Sequence, residues 1–248
     1  MSRVAAGVAL AILFLVCLLA LAPARLLNAF LPGERVIVQG YSGTVWRGAA
    51  NRALLAANGG YIHLGKINWT LNPLSLLTFS PTLNIESSWG RQHINTGVRL
   101  TGLHTLELTD VDALVPVQLL RQFLPLALAG DFSVQAQHLT LENGLPTQAS
   151  GRVVWQNAAW MSSQGLLSLG TYAIEFQQEP GQALYAEVLT LAGSVRVNGS
   201  VQLLGKDYAL DILISGDAGL DAQLEQALSL VAQPVADGRR IKFEGQLL

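Results

Sequence analysis

The chain has 248 residues, half of them hydrophobic, with 13% charged against about 25% in an ordinary soluble domain. A mean hydropathy of +0.37 excludes intrinsic disorder. A net charge of −2, with Arg239, Arg240 and Lys242 as the densest basic cluster, gives no electrostatic case for nucleic-acid binding; the single cysteine, Cys17, excludes a disulfide framework and any CxxC metal or redox site.

Residues 1–3 form a short tail. Val4 to Ala22 carry no charge and no strongly polar side chain. At about 1.5 Å per residue this run reaches roughly 28 Å, close to the hydrocarbon thickness of a bilayer. A cleaved signal peptide is the rival reading. Ala20-Leu21-Ala22 fits a small-x-small cleavage site, but Pro23 follows it, and the apolar run exceeds the roughly 7–15 residues of a signal core. A retained signal anchor over 4–22 is expected. Val16 before Cys17 does not suit lipidation. The positive-inside count is near a tie; with the tail taken as cytoplasmic, everything after Ala22 is extracytoplasmic, where the absence of cysteine suits an oxidising compartment.

Residues 23–33 read as a stalk closed by the turn signal Pro32-Gly33. Residues 34–248 read as one β-rich domain of short alternating runs. Phe132, Val134 and Ala136 alternate with Ser133, Gln135 and Gln137; Tyr172, Ile174 and Phe176, and Tyr208, Leu210, Ile212 and Ile214, do the same. Asn198-Gly199 predicts a hairpin turn between two short strands, Gly205-Lys206-Asp207 a second turn, and Asp237-Gly238 the start of a last strand, Ile241 to Leu247. Helices are few. Asn72-Pro73 is an N-cap followed by proline, predicting a short helix to about Leu77. Asp112 to Leu124 reads as helix or turn interrupted by Pro116. Leu220, Leu224, Ala227, Leu228 and Val231 fall at helical spacing, with Asp217 or Asp221 as cap and Pro234 at the end. The fold class is mainly β: an antiparallel meander, a sandwich or an open groove. Leu184 to Leu191 and Leu203-Leu204 carry apolar residues on both faces, so a second apolar surface is expected, covered by a helix, a partner or lipid.

Chemistry is not visible. Gly40-Tyr41-Ser42-Gly43 has Thr44 where a nucleophile elbow needs glycine, and reads as a turn. His63, His93, His104 and His138 lack metal-ligand spacing. Asp110 with Asp112, and Asp217 with Asp221, read as turns and caps. No catalytic residue, metal or cofactor is expected. An internal echo links Ser42-Gly43-Thr44-Val45-Trp46 to Ser150-Gly151-Arg152-Val153-Val154-Trp155: a Ser-Gly turn, a β-branched strand, then a tryptophan acting as core anchor or partner contact.

Gly43-Thr44-Val45-Trp46-x-Gly48-x-Ala50 resembles the first motif of the type II secretion system protein N family. Trp69-x-Leu71-Asn72-Pro73 is similar to its second. Gly151 to Ala159 with Trp155, Gly193-x-Val195-x-Val197-x-Gly199 with Tyr208, and the Gly238 to Gly245 strand also fit. The resemblance implies a bitopic inner-membrane protein of Gram-negative bacteria with a periplasmic domain. It implies a non-enzymatic scaffold that meets other type II secretion subunits, with Gly43, Trp46, Gly48, Trp69, Asn72, Pro73, Gly151 and Trp155 as its structural or interaction motif. A more distant likeness to AsmA-like β-groove proteins implies the alternative, a lipid-binding or lipid-transfer groove. A continuous, uncovered apolar face favours that alternative; closure of the face by the Leu220–Val231 helix opposes it.

Overall fold

The computed structural model describes residues 3–29, 31, 36–57, 60–102, 105–120, 128–162, 165–217 and 219–246. The expected Pro32-Gly33 turn, His104, the end of the Asp112–Leu124 region and Leu247 lie outside the described residues.

One antiparallel sheet holds fourteen strands. They are β1 (Val36–Gly43), β2 (Arg47–Ala57), β3 (Gly60–Leu71), β4 (Thr82–Trp89), β5 (Gln92–Leu100), β6 (Thr105–Pro116), β7 (Leu128–Glu142), β8 (Leu145–Ser162), β9 (Gly165–Gln178), β10 (Leu184–Ala192), β11 (Val195–Leu204), β12 (Asp207–Gly216), β13 (Gln233–Val235) and β14 (Gly238–Gln246). Neighbours in sequence are neighbours in space through β12, which then pairs with β14, leaving β1 and β13 as edges. The meander expectation holds and the sandwich does not. A sandwich needs strands that cross to a second layer, and here every hairpin returns the chain to the same sheet. Between β8 and β11 the sheet bends sharply: Cα atoms of next-nearest strands come within 8 Å, against roughly 9.6 Å for two flat inter-strand spacings.

Before the sheet, helix α1 (Arg3–Ala20) has 18 residues. From Ala5 on, every one of its side chains is exposed. Among the described residues no helix is long and apolar enough to cross a membrane. The helix stops two residues before the expected boundary at Ala22. There the chain joins the sheet: the Ala22 carbonyl accepts from Val45 N at 2.9 Å, and Pro23 bridges Thr44. A 3₁₀ turn, Ala24–Ala29, buries Ala24 against β1 and β2.

Several local expectations are corrected. Asn198-Gly199 is no turn: it lies inside β11, opposite Leu213 and Ile212. Gly199 is there because a Cβ would run into the Asp211 carbonyl oxygen of β12; close backbone approach, not positive φ, is the constraint. Ser150-Gly151 likewise lies inside β8, where a Cβ on Gly151 would meet Gln135 O and the Phe176 ring at 2.6 and 2.7 Å. Gly40–Gly43 ends β1, and the chain turns after it, with Thr44 N bonded to Arg47 O at 2.9 Å. Asp110 and Asp112 are in strand β6, which runs through Pro116 into a 3₁₀ turn, Val117–Leu120. The 220–231 helix shortens to α2 (Ala222–Leu228), capped by Asp221. Asp217 pairs with Arg196 instead, and Pro234 falls in β13. The Gly205-Lys206 turn and the Asp237-Gly238 strand start are found as expected, and Asn72-Pro73 opens a 3₁₀ turn, Pro73–Leu76.

Candidate functional site

Residues directly opposite one another on paired strands project to the same face, so the register fixes the chemistry of each face. One row runs Tyr41, Ala50, Ile67, Ser87, Ile94, Ala113, Val134, Val153, Ile174, Val188, Gly199, Ile212, Ile241. It crosses every strand but β13. Its two hydroxyls are both bonded: Tyr41 donates to Asn28 Oδ1 at 3.3 Å, and the buried Ser87 donates to Leu64 O at 2.6 Å. One residue along each strand the row reads Asn68, Glu86, Asn95, Asp112, Gln135, Arg152, Glu175, Glu187, Ser200, Asp211, Lys242. From β3 to β12 and on to β14 the sheet is therefore amphipathic, with an apolar and a polar face; on β2 the polar row meets Ala49.

Register shifts keep this separation intact. Between Ala136 and His138 the pairing slips by one, which turns His138 to the polar side, where its ring lies 2.9 Å from Thr140 Oγ1. Leu139 and Leu141, paired with Leu108 and Leu106, continue the apolar side. A shift between Asn95 and Gly97 does the same for β5 against β6.

Among the described residues no second sheet covers the apolar face. Its residues are mostly half-buried, shielded by neighbours along the strands. Cover exists at two corners. Over β1 to β4, Ala24 and Leu27 pack on Val38, Tyr41, Ala50, Ile67, Trp69 and Leu83. Over β9, β11 and β12, Leu220 and the α2 residue Leu224 pack on the cluster of Leu169, Tyr172 and Val195. The Tyr172 hydroxyl sits 3.0 Å from Leu169 O and 2.9 Å from Val195 O. Burial pushes this phenol up to about 12. The α2 helix thus covers one corner and the Ala24–Ala29 turn the other, and among the described residues the row between them is left open.

The eight residues of the expected motif separate into two places. Six meet where α1 joins the sheet. Gly43 takes φ +81 to start the turn, and a Cβ on it would strike Arg47 O at 2.6 Å. Gly48 lies under the Trp69 indole, with Ser42 O and Thr44 O each 2.8 Å from where a Cβ would stand. Trp69 is 7% exposed; its Nε1 donates to Val45 O at 3.1 Å, and its ring meets Tyr41 edge-on at 6.3 Å. Trp46 is half-buried and its Nε1 donates to Leu19 O at 2.8 Å, so the sheet caps the end of α1. The Trp46 carbonyl accepts from Leu71 N at 2.7 Å, one residue before Asn72. Asn72 Oδ1 accepts from Leu74 N at 3.0 Å, and Pro73 is the first residue of the 3₁₀ turn. Gly151 and Trp155 are in β8, remote in sequence from this junction. Trp155 stacks between Phe132 and Tyr172 at 5.7 and 5.9 Å and donates to Ala129 O at 3.1 Å. Both tryptophan environments hold a ring on the apolar face and satisfy its N–H with a backbone carbonyl.

On the polar face Arg152 pairs with Glu175 at 3.5 Å. Arg240 forks onto Asp211 at 2.7 and 2.6 Å, and that hydrogen bond holds the Asp211 carboxyl below its ordinary value. Among the described residues no cluster of His, Cys, Asp or Glu could hold a metal ion.

The sequence profile described as type II secretion system (T2SS), protein N matches residues 34–242. The chain belongs to the type II secretion system protein N family. Relatives bearing that name share 27% identity in Aeromonas hydrophila, over 97% of this chain and 98% of that protein. In Klebsiella pneumoniae the figure is 29%, over 81% and 84%, and in Pectobacterium carotovorum subsp. carotovorum 24%, over 100% and 98%. No solved structure matches the chain. As a family member the chain is assigned to type II secretion as an accessory component. The profile begins at residue 34, past α1, and the match spans β1 through most of β14.

Proposed function

We propose that this chain serves type II secretion as a non-enzymatic, inner-membrane-anchored periplasmic component whose apolar sheet face holds the acyl chains of lipid. Family membership supports the secretion role. The observation that carries the lipid role is the apolar row, continuous across thirteen strands and left open over most of its length. An apolar surface of that extent on a soluble face would aggregate; an elongated apolar ligand lying along it removes the liability. Anchoring rests on the uncharged run Val4 to Ala22, whose length falls within the roughly 17–25 residues that span a bilayer. Its exposed Leu, Ile, Val and Phe side chains suit lipid and not water.

A second reading is a scaffold that seats other secretion subunits on the same face or along β1, an edge strand of eight residues with a free pairing side. Mass spectrometry of the full chain, purified gently from native membranes, separates the two. Stoichiometric phospholipid, lost when Val153→Glu and Ile174→Glu interrupt the row, is the expected result. Co-purifying secretion subunits with no bound lipid overturn the lipid reading in favour of the scaffold.

A further inference from the structure

The 3₁₀ turn after Asn72 leads through Leu77, Thr78 and Phe79 back to β4. Leu74 is 71% exposed, Leu77 78% and Phe79 90%. Phe79 stands at φ +54, a left-handed conformation unusual for a bulky side chain. The chain thus accepts backbone strain to present an aromatic ring outward.

The loop's place in the sheet suggests what those residues meet. It joins β3 to β4 at the same sheet end as the Thr44–Trp46 turn, because Arg47 pairs with Thr70. That is the end at which α1 arrives. A chain of hydrogen bonds runs from Leu19 O to Trp46, from Trp46 O to Leu71 N, and then into the Asn72 cap. The exposed apolar loop therefore stands one short step from the exit of α1.

The loop also meets a condition for entering an apolar phase: many of its backbone polar groups are already bonded internally. Ser75 Oγ donates to Asn72 O at 2.6 Å and accepts from Thr82 N at 2.9 Å. Thr78 Oγ1 donates to Ser75 O at 2.9 Å. Phe79 N and Ser80 N bond to Leu76 O and Ser75 O at 3.2 and 3.3 Å. Behind the apolar tip lies a polar recess of about 410 Å³ lined by hydroxyls and Arg99, the chemistry suited to headgroup depth.

Charge points the same way. On the side of α1 that carries the sheet, residues 23–85 contain five basic residues (Arg25, Arg35, Arg47, Arg52 and Lys66) and one acidic residue, Glu34, a net of 5 − 1 = +4. Residues 86–248 hold 9 basic and 16 acidic residues, a net of −7. The basic part is the one joined to α1, as suits an anionic lipid surface.

We propose that the loop Pro73–Phe79 is a second membrane-contact element, seating Leu74, Leu77 and Phe79 in the interface of the same bilayer that holds α1. This rests on α1 lying in the bilayer. Apolar groups at such a boundary penetrate about 5–10 Å. Two contacts, a helix and a loop, fix the tilt of the sheet, so that the end carrying the Trp46 turn faces the membrane and the apolar row opens toward lipid.

The test uses the full chain with Cys17→Ser, reconstituted in vesicles of phosphatidylethanolamine and phosphatidylglycerol. An environment-sensitive fluorophore is attached through Leu77→Cys, Phe79→Cys, Phe14→Cys in α1, or Leu166→Cys at the far end of the sheet. All four side chains are exposed, so labelling leaves the core intact. A lipid-borne quencher is expected to quench positions 14, 77 and 79 and to spare 166, with a blue shift at 77 and 79. Quenching at 14 without 77 and 79 overturns the loop proposal, leaves the anchor standing, and makes a protein partner the occupant of the loop. No quenching at 14 overturns the anchor, and the loop proposal falls with it.

Discussion

Removing the Trp69 side chain tests whether the α1 junction is packed as a core. Trp69 is 7% exposed, with Ala24 and Ala50 as buried neighbours and Leu27, Val38, Tyr41, Ile67 and Leu83 around them. Trp69→Ala empties this site, breaks the edge-on contact with Tyr41 and leaves Val45 O without its indole donor. A buried tryptophan truncation costs about 3–5 kcal/mol. For a chain of this size, at roughly 2–4 °C per kcal/mol, the unfolding midpoint falls by roughly 6–20 °C. Gly48 supplies an internal control, because a Cβ there would overlap Trp69 Cζ2 and stand 2.8 Å from Ser42 O and Thr44 O. Gly48→Ala alone costs about 1–3 kcal/mol by overpacking. In the Trp69→Ala background the indole clash is gone and only the approach to the two carbonyls remains. The double variant is therefore less destabilised than the sum of the singles, with a coupling of about 0.5–3 kcal/mol. Thermal unfolding of the detergent-solubilised full chain, followed by near-ultraviolet circular dichroism, reads all four proteins. Additive costs, or a Trp69→Ala midpoint within about 2 °C of the parent, would refute a packed junction.

Tyr172→Phe leaves Leu169 O and Val195 O without their phenol partner and is expected to cost about 1–3 kcal/mol at neutral pH. The Tyr172 phenol, at about 12 when folded against 10 in the unfolded chain, favours the neutral form. Its contribution is complete below pH 10 and is lost as pH rises to about 12, a loss of roughly 2–3 kcal/mol that denaturant titrations should show in the parent and not in Tyr172→Phe. Asn198→Thr is expected to be neutral or mildly stabilising, because the position is mid-strand, whereas Gly199→Ala should unfold the C-terminal strands as its Cβ meets Asp211 O; amide hydrogen exchange across β11 and β12 distinguishes them. Arg240→Gln should return the Asp211 carboxyl upward to the ordinary carboxylate range. Because the pair holds that value down, its contribution is present above the unfolded-state value and lost as pH falls through the folded one. Carboxyl ¹³C titration follows the shift directly, and an unchanged Asp211 value in Arg240→Gln would show that the fork does not set it.

Much of this protein is legible in the linear chain because it is local. Alternation in Phe132–Gln137, Tyr172–Gln177 and Tyr208–Ser215 sets strand identity, since period two needs no knowledge of partners. The Asn72-Pro73 cap is local for the same reason. The apolar run at the N-terminus and the family motifs are equally readable, and the motif order points to the family that the whole-chain likeness bears out. What failed was glycine. Gly199 and Gly151 follow turn-forming neighbours, yet both serve the paired neighbouring strand, through backbone approaches to Asp211 and Gln135. A glycine's reason for being present is often the atom opposite it, and that atom is named only by pairing.

The two faces of the sheet could not be read from residue order, because each bulge inverts the side-chain parity of everything beyond it. The slip at Ala136–His138 puts Leu139 with Val134 and not with Gln135; without it half of β7 would be assigned to the wrong side. By itself the sequence determined that there are many alternating strands, one long apolar segment and one family. Only the tertiary structure decided that the strands form a single sheet with one continuous apolar face, since that face exists only where twelve registers agree. The same holds for Leu74, Leu77 and Phe79 beside α1: they are brought there by the pairing of Arg47 with Thr70, a long-range contact that fixes where a locally encoded turn points.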